Sequence, residues 1–255
     1  MKVAGIQHDV VWEDRDATLA RLEPQLRAAA GTGARLVVLT EMFPVGFSTE
    51  PERMAEREGG PTTEFLRTQA SELAVWLCGS VPTHPSGGGR PVNRLLLAGP
   101  GGELRHYDKI HPFTYSGEHE HYAAGAERVT FDVEGVRVTP FVCYDLRFAD
   151  EFWAMAPATD CYVVVANWPA ARRTHWQALL VARAIENQAY VVGVNRIGEG
   201  GGLHYSGDSR IIDPLGEILA AGAGGETILL ADVDPGVVAE TRQRYPFLTD
   251  RRPTT

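Results

Sequence analysis

Short runs of continuous apolar residues constrain the fold of this chain more than any other feature. Such runs span residues 36–39, 162–166 and 190–194, and amphipathic stretches that suit helices lie between them. A strand that is apolar throughout is typical of a sheet buried on both faces. The alternation of these strands with helices predicts one α/β domain over residues 1–255, with helices covering the sheet faces.

Helix and hairpin signals fill the intervening segments. Asp14 or Asp16 is suited to cap the first helix, and Pro235 suits the first turn of the last one. The predicted helices span residues 14–30, 62–74, 174–188 and 235–244, and the predicted strand pairs span residues 95–110, 129–142 and 209–220.

Charge and cysteine usage exclude several classes of function. The formal net charge of -9 argues against nucleic acid as a partner, because such binding needs a basic face. No apolar run approaches the roughly 20 residues that span a bilayer, and residues 1–6 read as a strand rather than a signal peptide. The three cysteines, Cys78, Cys143 and Cys161, are an odd and sparse set. We therefore expect a cytoplasmic protein with neither a nucleic-acid nor a membrane partner.

The stretch FVCYDLRF, residues 141–148, carries the strongest chemical signal. Cys143 stands where the strand over residues 136–142 ends and a helix is predicted from Leu146. Free amides at a helix N-terminus favour negative charge, so we expect a lowered pKa of the Cys143 thiol and a site for an oxyanion. The alternative is a buried structural cysteine without reactivity.

Two charged residues also follow predicted strands. Glu41 comes directly after residues 36–39, at the end of a strand where open α/β sheets bind ligands, and a carboxylate withdrawn from water there suits a general base. Lys109 ends the strand over residues 104–109 and can present its ammonium group to a developing oxyanion. A salt-bridged glutamate and a solvated lysine are the alternative interpretations.

Aromatic and loop residues complete the set of candidates. Phe113 and Trp168 each lie just beyond a predicted strand, as pocket walls or as core aromatics. Residues 117–125 contain two glutamates and two histidines, but the His-x-His spacing differs from that of helical zinc sites. We therefore expect no metal, and a polar loop folded over a cleft.

Glu41, Lys109 and Cys143, in this order and each at a strand end, resemble the catalytic set of the nitrilase superfamily, the carbon-nitrogen hydrolases. The resemblance runs from Lys2 to about Asp234. The supporting strings are TEMF at 40–43, YDKIH at 107–111, CYDLRF at 143–148, NWP at 167–169 and ARAIENQ at 182–188.

The resemblance implies a four-layer α-β-β-α sandwich that dimerises, without a cofactor. It also implies a mechanism in which Cys143 attacks an amide carbonyl while Glu41 transfers the protons. Lys109 and the backbone N–H of Tyr144 would then hold the oxyanion of the tetrahedral intermediate.

A second glutamate of this family orients the substrate and the lysine. Its spacing before Gly125 favours Glu118 over Glu120. The resemblance thus implies a catalytic set of four, in which Glu118 joins the three residues already named.

The strings EMFPVGFS at 41–48 and NWP at 167–169 look most like the omega-amidase branch, which deamidates 2-oxoglutaramate or 2-oxosuccinamate. A cation is then needed for the far carboxylate of the substrate, and Arg147, Arg172 and Arg173 are the candidates. The residues expected to contact substrate are Tyr144, Arg147, Trp168 and Phe113.

Three other functions stay open from the sequence. A nitrilase or an N-carbamoyl amidase would use the same glutamate, lysine and cysteine. A non-catalytic interaction protein on this fold would not need all three residues. A metal hydrolase would have to use the loop over residues 117–125.

Overall fold

The computed structural model describes residues 1–252, so the last three residues of the predicted domain lie outside the described residues. The extent of that domain stays a prediction. The strands are β1 (Lys2–Gln7), β2 (Leu36–Val38), β3 (Glu56–Arg57), β4 (Trp76–His84), β5 (Val92–Ala98), β6 (Leu104–Asp108), β7 (Phe131–Val133), β8 (Val136–Val142), β9 (Cys161–Ala166), β10 (Tyr190–Asn195), β11 (Ile197–Gly200), β12 (Leu203–Ser206), β13 (Arg210–Ile212), β14 (Ile218–Ala221) and β15 (Thr227–Asp232). The helices are α1 (Arg15–Gly31), α2 (Pro51–Met54), α3 (Pro61–Leu73), α4 (Glu118–His121), α5 (Ala149–Met155), α6 (Arg173–Asn187) and α7 (Pro235–Arg244).

The strands form two mixed sheets and one separate hairpin. The first sheet has the order β15-β1-β2-β4-β5-β6, with β3 paired to β4, and the second has the order β14-β13-β10-β9-β8-β7. In each sheet the three central strands are parallel, β1, β2 and β4 in one and β8, β9 and β10 in the other. The hairpin β11–β12 stands apart from both sheets.

Successive residues of a central strand face different cores, as the two-residue period of a strand requires. Leu36 and Val38 of β2 belong to the core between the sheets, whereas Val37 packs with Leu26 of α1 and Leu66 of α3. On the far side, α5 and α6 cover the second sheet. The layers therefore run α-β-β-α, and the predicted four-layer sandwich is confirmed.

Parallel strand direction brings several strand ends to one edge of the sandwich. Strand β6 is antiparallel to β5, which is antiparallel to β4, so β6 ends at the same edge as β2. Strands β8 and β9 are parallel to each other and end together. The residues that follow these strands, Glu41, Lys109, Cys143 and Asn167, form the site described below.

None of the helices within residues 1–252 has the length and apolar character of a membrane-spanning segment.

The close contact between the sheets generates a stability prediction at Gly5 in β1. A Cβ atom at Gly5 would lie 2.9 Å from Cγ2 of Val194 in β10, a stiff side chain that is itself buried. We expect Gly5→Ala to lower the free energy of unfolding by about 1–3 kcal/mol through overpacking. Urea denaturation measures the change.

Gly31→Ala is the matched control, because a Cβ atom at this last residue of α1 meets nothing within 4 Å. It should leave the free energy of unfolding unchanged or raise it, since alanine favours helix. Equal effects of the two substitutions would contradict the packing argument.

Candidate active site

Glu41 is completely buried just beyond β2, and three N–H groups stabilise its carboxylate. Its Oε1 accepts hydrogen bonds from Lys109 Nζ and Asn93 Nδ2, both at 2.9 Å. Its Oε2 accepts one from the backbone amide of Asn167 at 2.8 Å, and the side chain of Asn167 donates to the Glu41 backbone carbonyl at 2.6 Å. This carboxylate therefore has the donors that a buried charge requires.

Lys109 lies between two buried carboxylates. Its Nζ is 2.9 Å from Glu41 Oε1 and 2.8 Å from Glu118 Oε2. Burial alone would lower the pKa of Lys109, but the carboxylates of Glu118 and Glu41 outweigh it and raise this pKa above its ordinary value. The ammonium group is therefore charged throughout the working pH range.

Glu118 belongs to this cluster, whereas Glu120 does not. Both lie on α4, but Glu118 is fully buried and Glu120 is exposed. Burial raises the pKa of Glu118, with Lys109 opposing the rise and Glu41 adding to it. The backbone N–H of Phe113 also donates to Glu118 Oε2.

Cys143 adopts a strained backbone conformation at the end of β8. Its φ of 46° lies in the left-handed region, which is uncommon for non-glycine residues. It is the first residue of a short 3-10 turn, Cys143–Arg147, and α5 begins only at Ala149. The predicted helix is therefore present as α5, but it begins three residues later than Leu146, so the N-terminal amides of the α-helix do not lie beside the cysteine.

The pKa of the Cys143 thiol shifts in the direction opposite to the predicted one. Burial, followed by the negative charge of Glu41, raises its pKa well above the ordinary value, and Lys109 only partly opposes this. The predicted lowering is wrong because the thiol is withdrawn from water and because the carboxylate of Glu41 faces it. Deprotonation of this thiol therefore needs a base, and Glu41 is the carboxylate that acts most strongly on it.

Asp145 connects the cysteine turn to the chain that follows β6. It is fully buried, and it accepts hydrogen bonds from the backbone N–H of Val142 and of His111, both at 2.9 Å. The hydroxyl of Tyr107 donates to it at 2.8 Å. One carboxylate thus fixes the residue before Cys143 relative to the segment that carries the lysine.

A pocket opens at Cys143. The four residues that the sequence predicts to contact substrate, Phe113, Tyr144, Arg147 and Trp168, all line it together with the cysteine. Its lining within residues 1–252 contains no aspartate or glutamate.

The three candidate cations for a substrate carboxylate are now distinguishable. Arg147 and Arg172 line the pocket, with their guanidinium groups 4.8 and 5.4 Å from the centroids of aromatic rings in its wall. Neither has an acidic partner within 4.0 Å in the described chain. Arg173 does not line the pocket, and it forms an ion pair with Asp208 at 2.6 Å.

The loop over residues 117–125 shows no metal-binding arrangement. Within residues 1–252, no group of three or more His, Cys, Asp and Glu side chains is gathered as metal ligands. His119 and His121 of α4 are exposed, while Glu118 of the same helix turns inward.

The sequence predictions missed several residues of the site, among them Asn93 and Tyr205. Asn93 is the second residue of β5 and donates to both Glu41 and Glu118, at 2.9 and 3.2 Å. Tyr205 of β12 lines the pocket and is buried. The predicted strand began at Leu95, two residues after Asn93. The polar pair Asn93-Arg94 directly before this apolar run was a signal that could have identified Asn93. The glycine-rich sequence around β11 and β12 carries no comparable signal for Tyr205.

Known proteins are similar to this chain over nearly its whole length. The family model described as carbon-nitrogen hydrolase matches residues 2–243. Omega-amidase YafV of Escherichia coli (strain K12) is 42% identical over 253 residues, which cover 98% of this chain and 96% of the relative. The 2-oxoglutaramate amidase of Bacillus subtilis (strain 168) is 32% identical over 225 residues, covering 86% and 85% of the two chains.

A solved structure of a CN-hydrolase superfamily protein is also similar to this chain. The CN-hydrolase superfamily protein from Xanthomonas campestris, determined with an arsenic adduct in its active site, superposes with a TM-score of 0.94. It is 38% identical in sequence, and the match covers 100% of this chain and 98% of that protein.

The different environments of the three cysteines predict selective alkylation. Cys143 lines an open pocket, whereas Cys78 and Cys161 are 2% and 0% exposed, and burial raises the pKa of Cys78 to about 12. We expect iodoacetamide to modify Cys143 in the native protein and the other two only slowly. Peptide mass spectrometry over a time course measures each rate.

Urea-unfolded protein provides the control, because all three thiols should then react. Rapid modification of Cys78 or Cys161 in the native state would contradict their location in the core.

Proposed function

The chain belongs to the carbon-nitrogen hydrolase family, and on this premise we propose that it is an omega-amidase. It hydrolyses the terminal amide of a small 2-oxo acid, 2-oxoglutaramate or 2-oxosuccinamate, and releases ammonia. The observation that carries the proposal is a cysteine beside a buried glutamate–lysine pair, in a pocket whose unpaired charged groups are two arginines. The names of the two relatives support the same substrate class.

The first half of the reaction forms a thioester. Cys143 Sγ attacks the amide carbonyl carbon while Glu41 accepts the thiol proton. Lys109 Nζ and the backbone N–H of Tyr144 donate hydrogen bonds to the oxyanion. Collapse of this intermediate breaks the C–N bond, and Glu41 returns the proton to the departing ammonia.

The second half releases the acid. A water molecule attacks the thioester carbonyl while Glu41 accepts one of its protons, and the same donors again stabilise the oxyanion. The thiolate of Cys143 leaves and recovers a proton from Glu41. Glu118 holds Lys109 in position throughout, because its carboxylate contacts the lysine Nζ through both oxygens.

Arg147 and Arg172 bind the carboxylate and the 2-oxo end of the substrate. Both line the pocket with Cys143, and each is free of a competing carboxylate within residues 1–252. Arginine suits this role because its planar fork donates two hydrogen bonds to a carboxylate. The aromatic rings of Phe113 and Trp168 then enclose the short carbon chain between the two ends.

The molecule is further proposed to be a cytoplasmic homodimer. Trp153 of α5 and Ile185 of α6 are large apolar residues on the outer helical layer that are 39% and 51% exposed, and a second copy would cover such a surface. All three cysteines lie within the described chain and are unpaired, which fits a reducing compartment.

Ammonia release from a small substrate panel tests the proposed activity. The panel contains 2-oxoglutaramate, 2-oxosuccinamate, glutamine, an aliphatic nitrile and an N-carbamoyl amino acid. We expect release from the two oxo-acid amides alone, and none from the Cys143→Ala and Glu41→Gln variants. Release only from the nitrile or the N-carbamoyl compound would move the enzyme to another branch of the family, and retained turnover in Cys143→Ala would contradict the cysteine mechanism.

Arg172→Gln tests carboxylate recognition. A lost charge-assisted hydrogen bond of about 1.5–3 kcal/mol corresponds to a rise in KM of roughly 10- to 100-fold, with a smaller change in kcat. Steady-state kinetics with 2-oxoglutaramate measure both constants. Arg173→Gln is the matched control, because that neighbouring arginine is paired with Asp208 outside the pocket. A normal KM for Arg172→Gln would exclude the residue from substrate binding.

A further inference from the structure

The active site buries two carboxylates around a single ammonium group. Glu41 and Glu118 are both 0% exposed, and both contact Lys109 Nζ, so the three side chains carry a formal charge of -1 when ionised. A buried carboxylate without sufficient compensation takes up a proton. A protonated Glu41 would be unable to accept the proton of the Cys143 thiol. The cluster therefore needs donors beyond the lysine, and the backbone N–H groups of Asn167 and Phe113 give each carboxylate one of them.

Asn93 supplies a donor to both carboxylates at once. Its Nδ2 lies 2.9 Å from Glu41 Oε1 and 3.2 Å from Glu118 Oε1. Lys109 Nζ bonds to the same two oxygens, at 2.9 and 3.1 Å. The two oxygens are thus bridged twice, once by the ammonium and once by the carboxamide.

The backbone and the side-chain orientation of Asn93 are both fixed. The residue is 1% exposed, and its backbone carbonyl oxygen accepts a hydrogen bond from the Lys109 backbone N–H at 3.0 Å. Its Oδ1 is buried with no hydrogen-bond partner in the described chain. A flipped carboxamide would direct this oxygen at the two carboxylates. The two hydrogen bonds to the carboxylates therefore fix the orientation of the carboxamide.

The bridge also determines which oxygen of Glu41 is free to react. Oε1 already accepts from Lys109 and Asn93, whereas the single donor to Oε2 among residues 1–252 is the backbone N–H of Asn167. A carboxylate oxygen has two lone pairs, so Oε2 retains one. That oxygen is the available acceptor when the S–H bond of Cys143 breaks and the new O–H bond forms.

We propose that Asn93 is a positioning residue of the hydrolase. It bridges Oε1 of Glu41 and Oε1 of Glu118, which holds both carboxylates against Lys109 and leaves Oε2 of Glu41 free to accept the proton of Cys143. This inference rests on the thiol and carboxylate chemistry proposed above, but it does not depend on which amide is the substrate.

The remaining titratable groups near the two carboxylates do not obscure the test. They are Lys109, Cys143, Tyr122 and Tyr205. Burial raises the pKa of Tyr122, and it raises that of Tyr205 to about 12, so both hydroxyls stay neutral near pH 7. The pKa of Lys109 is likewise raised, because the two carboxylates outweigh its burial. Loss of the Asn93 donor therefore acts on the carboxylates and, through them, on the thiol.

The pH profile of Cys143 alkylation by iodoacetamide tests the proposal. Without the Asn93 donor the negative charge of the two carboxylates is less compensated, so it disfavours the neighbouring thiolate of Cys143 more strongly. This displaces the rate profile of Asn93→Ala upward, by about one pH unit for one charge-assisted hydrogen bond. Asn93→Ser retains one hydroxyl donor, so it should shift in the same direction by less. It also serves if the alanine variant does not fold.

Asn187→Ala is the matched control. Asn187 is another fully buried asparagine, and its Nδ2 donates to the Arg183 carbonyl in α6, outside the cluster. Its profile should coincide with that of the wild type, and Cys143→Ala supplies the blank for the other two cysteines. An unshifted profile for Asn93→Ala, or an equal shift for Asn187→Ala, would overturn the proposal.

The alkylation measurement separates this inference from the proposed function. Wild-type protein that releases no ammonia from either oxo-acid amide would refute the substrate assignment. A displaced alkylation profile in Asn93→Ala would still support the role of the carboxamide in that case.

Discussion

The burial of one lysine ammonium between two carboxylates is the interaction on which the rest of this structure depends. Lys109, Glu41 and Glu118 are all withdrawn from water, so each must find its partners within the protein. The donors come from separate segments, namely the start of β5, the chain after β9 and the backbone at Phe113. The sandwich brings these segments together because strands of both sheets end at one edge. The buried charge cluster therefore depends on the fold for its hydrogen-bond donors.

A buried carboxylate also holds the strained turn at Cys143 in place. A positive φ at a cysteine persists only where its surroundings hold it. Asp145 does so by accepting hydrogen bonds from the residue before the turn and from the segment that follows Lys109. The second sheet contributes the turn, and the first sheet contributes the segment. The separation of sulfur and ammonium therefore depends on contacts across the sandwich rather than on either sheet alone.

The sequence revealed the parts of the site that local patterns encode. Glu41, Lys109 and Cys143 each follow a strand that is recognisable from its own residues, so their meeting at one edge was predictable. Asn93 was missed because its importance arises from the pairing of β5 with β6, where Arg94 lies opposite Asp108 and Asn93 reaches the carboxylates beyond. The pKa of Cys143 was predicted in the wrong direction for a similar reason. The prediction considered the helix expected after the cysteine, but the dominant neighbouring charge comes from the other sheet.

The charges at the two ends of the pocket have opposite signs. The cluster beneath the cysteine carries a formal charge of -1, whereas two arginines and no carboxylates line the pocket within the described chain. A substrate with a carboxylate at one end and an amide at the other can bind productively in one orientation. Reversal would bring its carboxylate against Glu41 and Glu118, which is unfavourable at low dielectric. The same polarity disfavours an ammonium beside the carboxylate, because Arg147 and Arg172 would face it without a compensating acid. The charges of the pocket therefore favour the proposed 2-oxo acid over the corresponding amino acid, independently of shape.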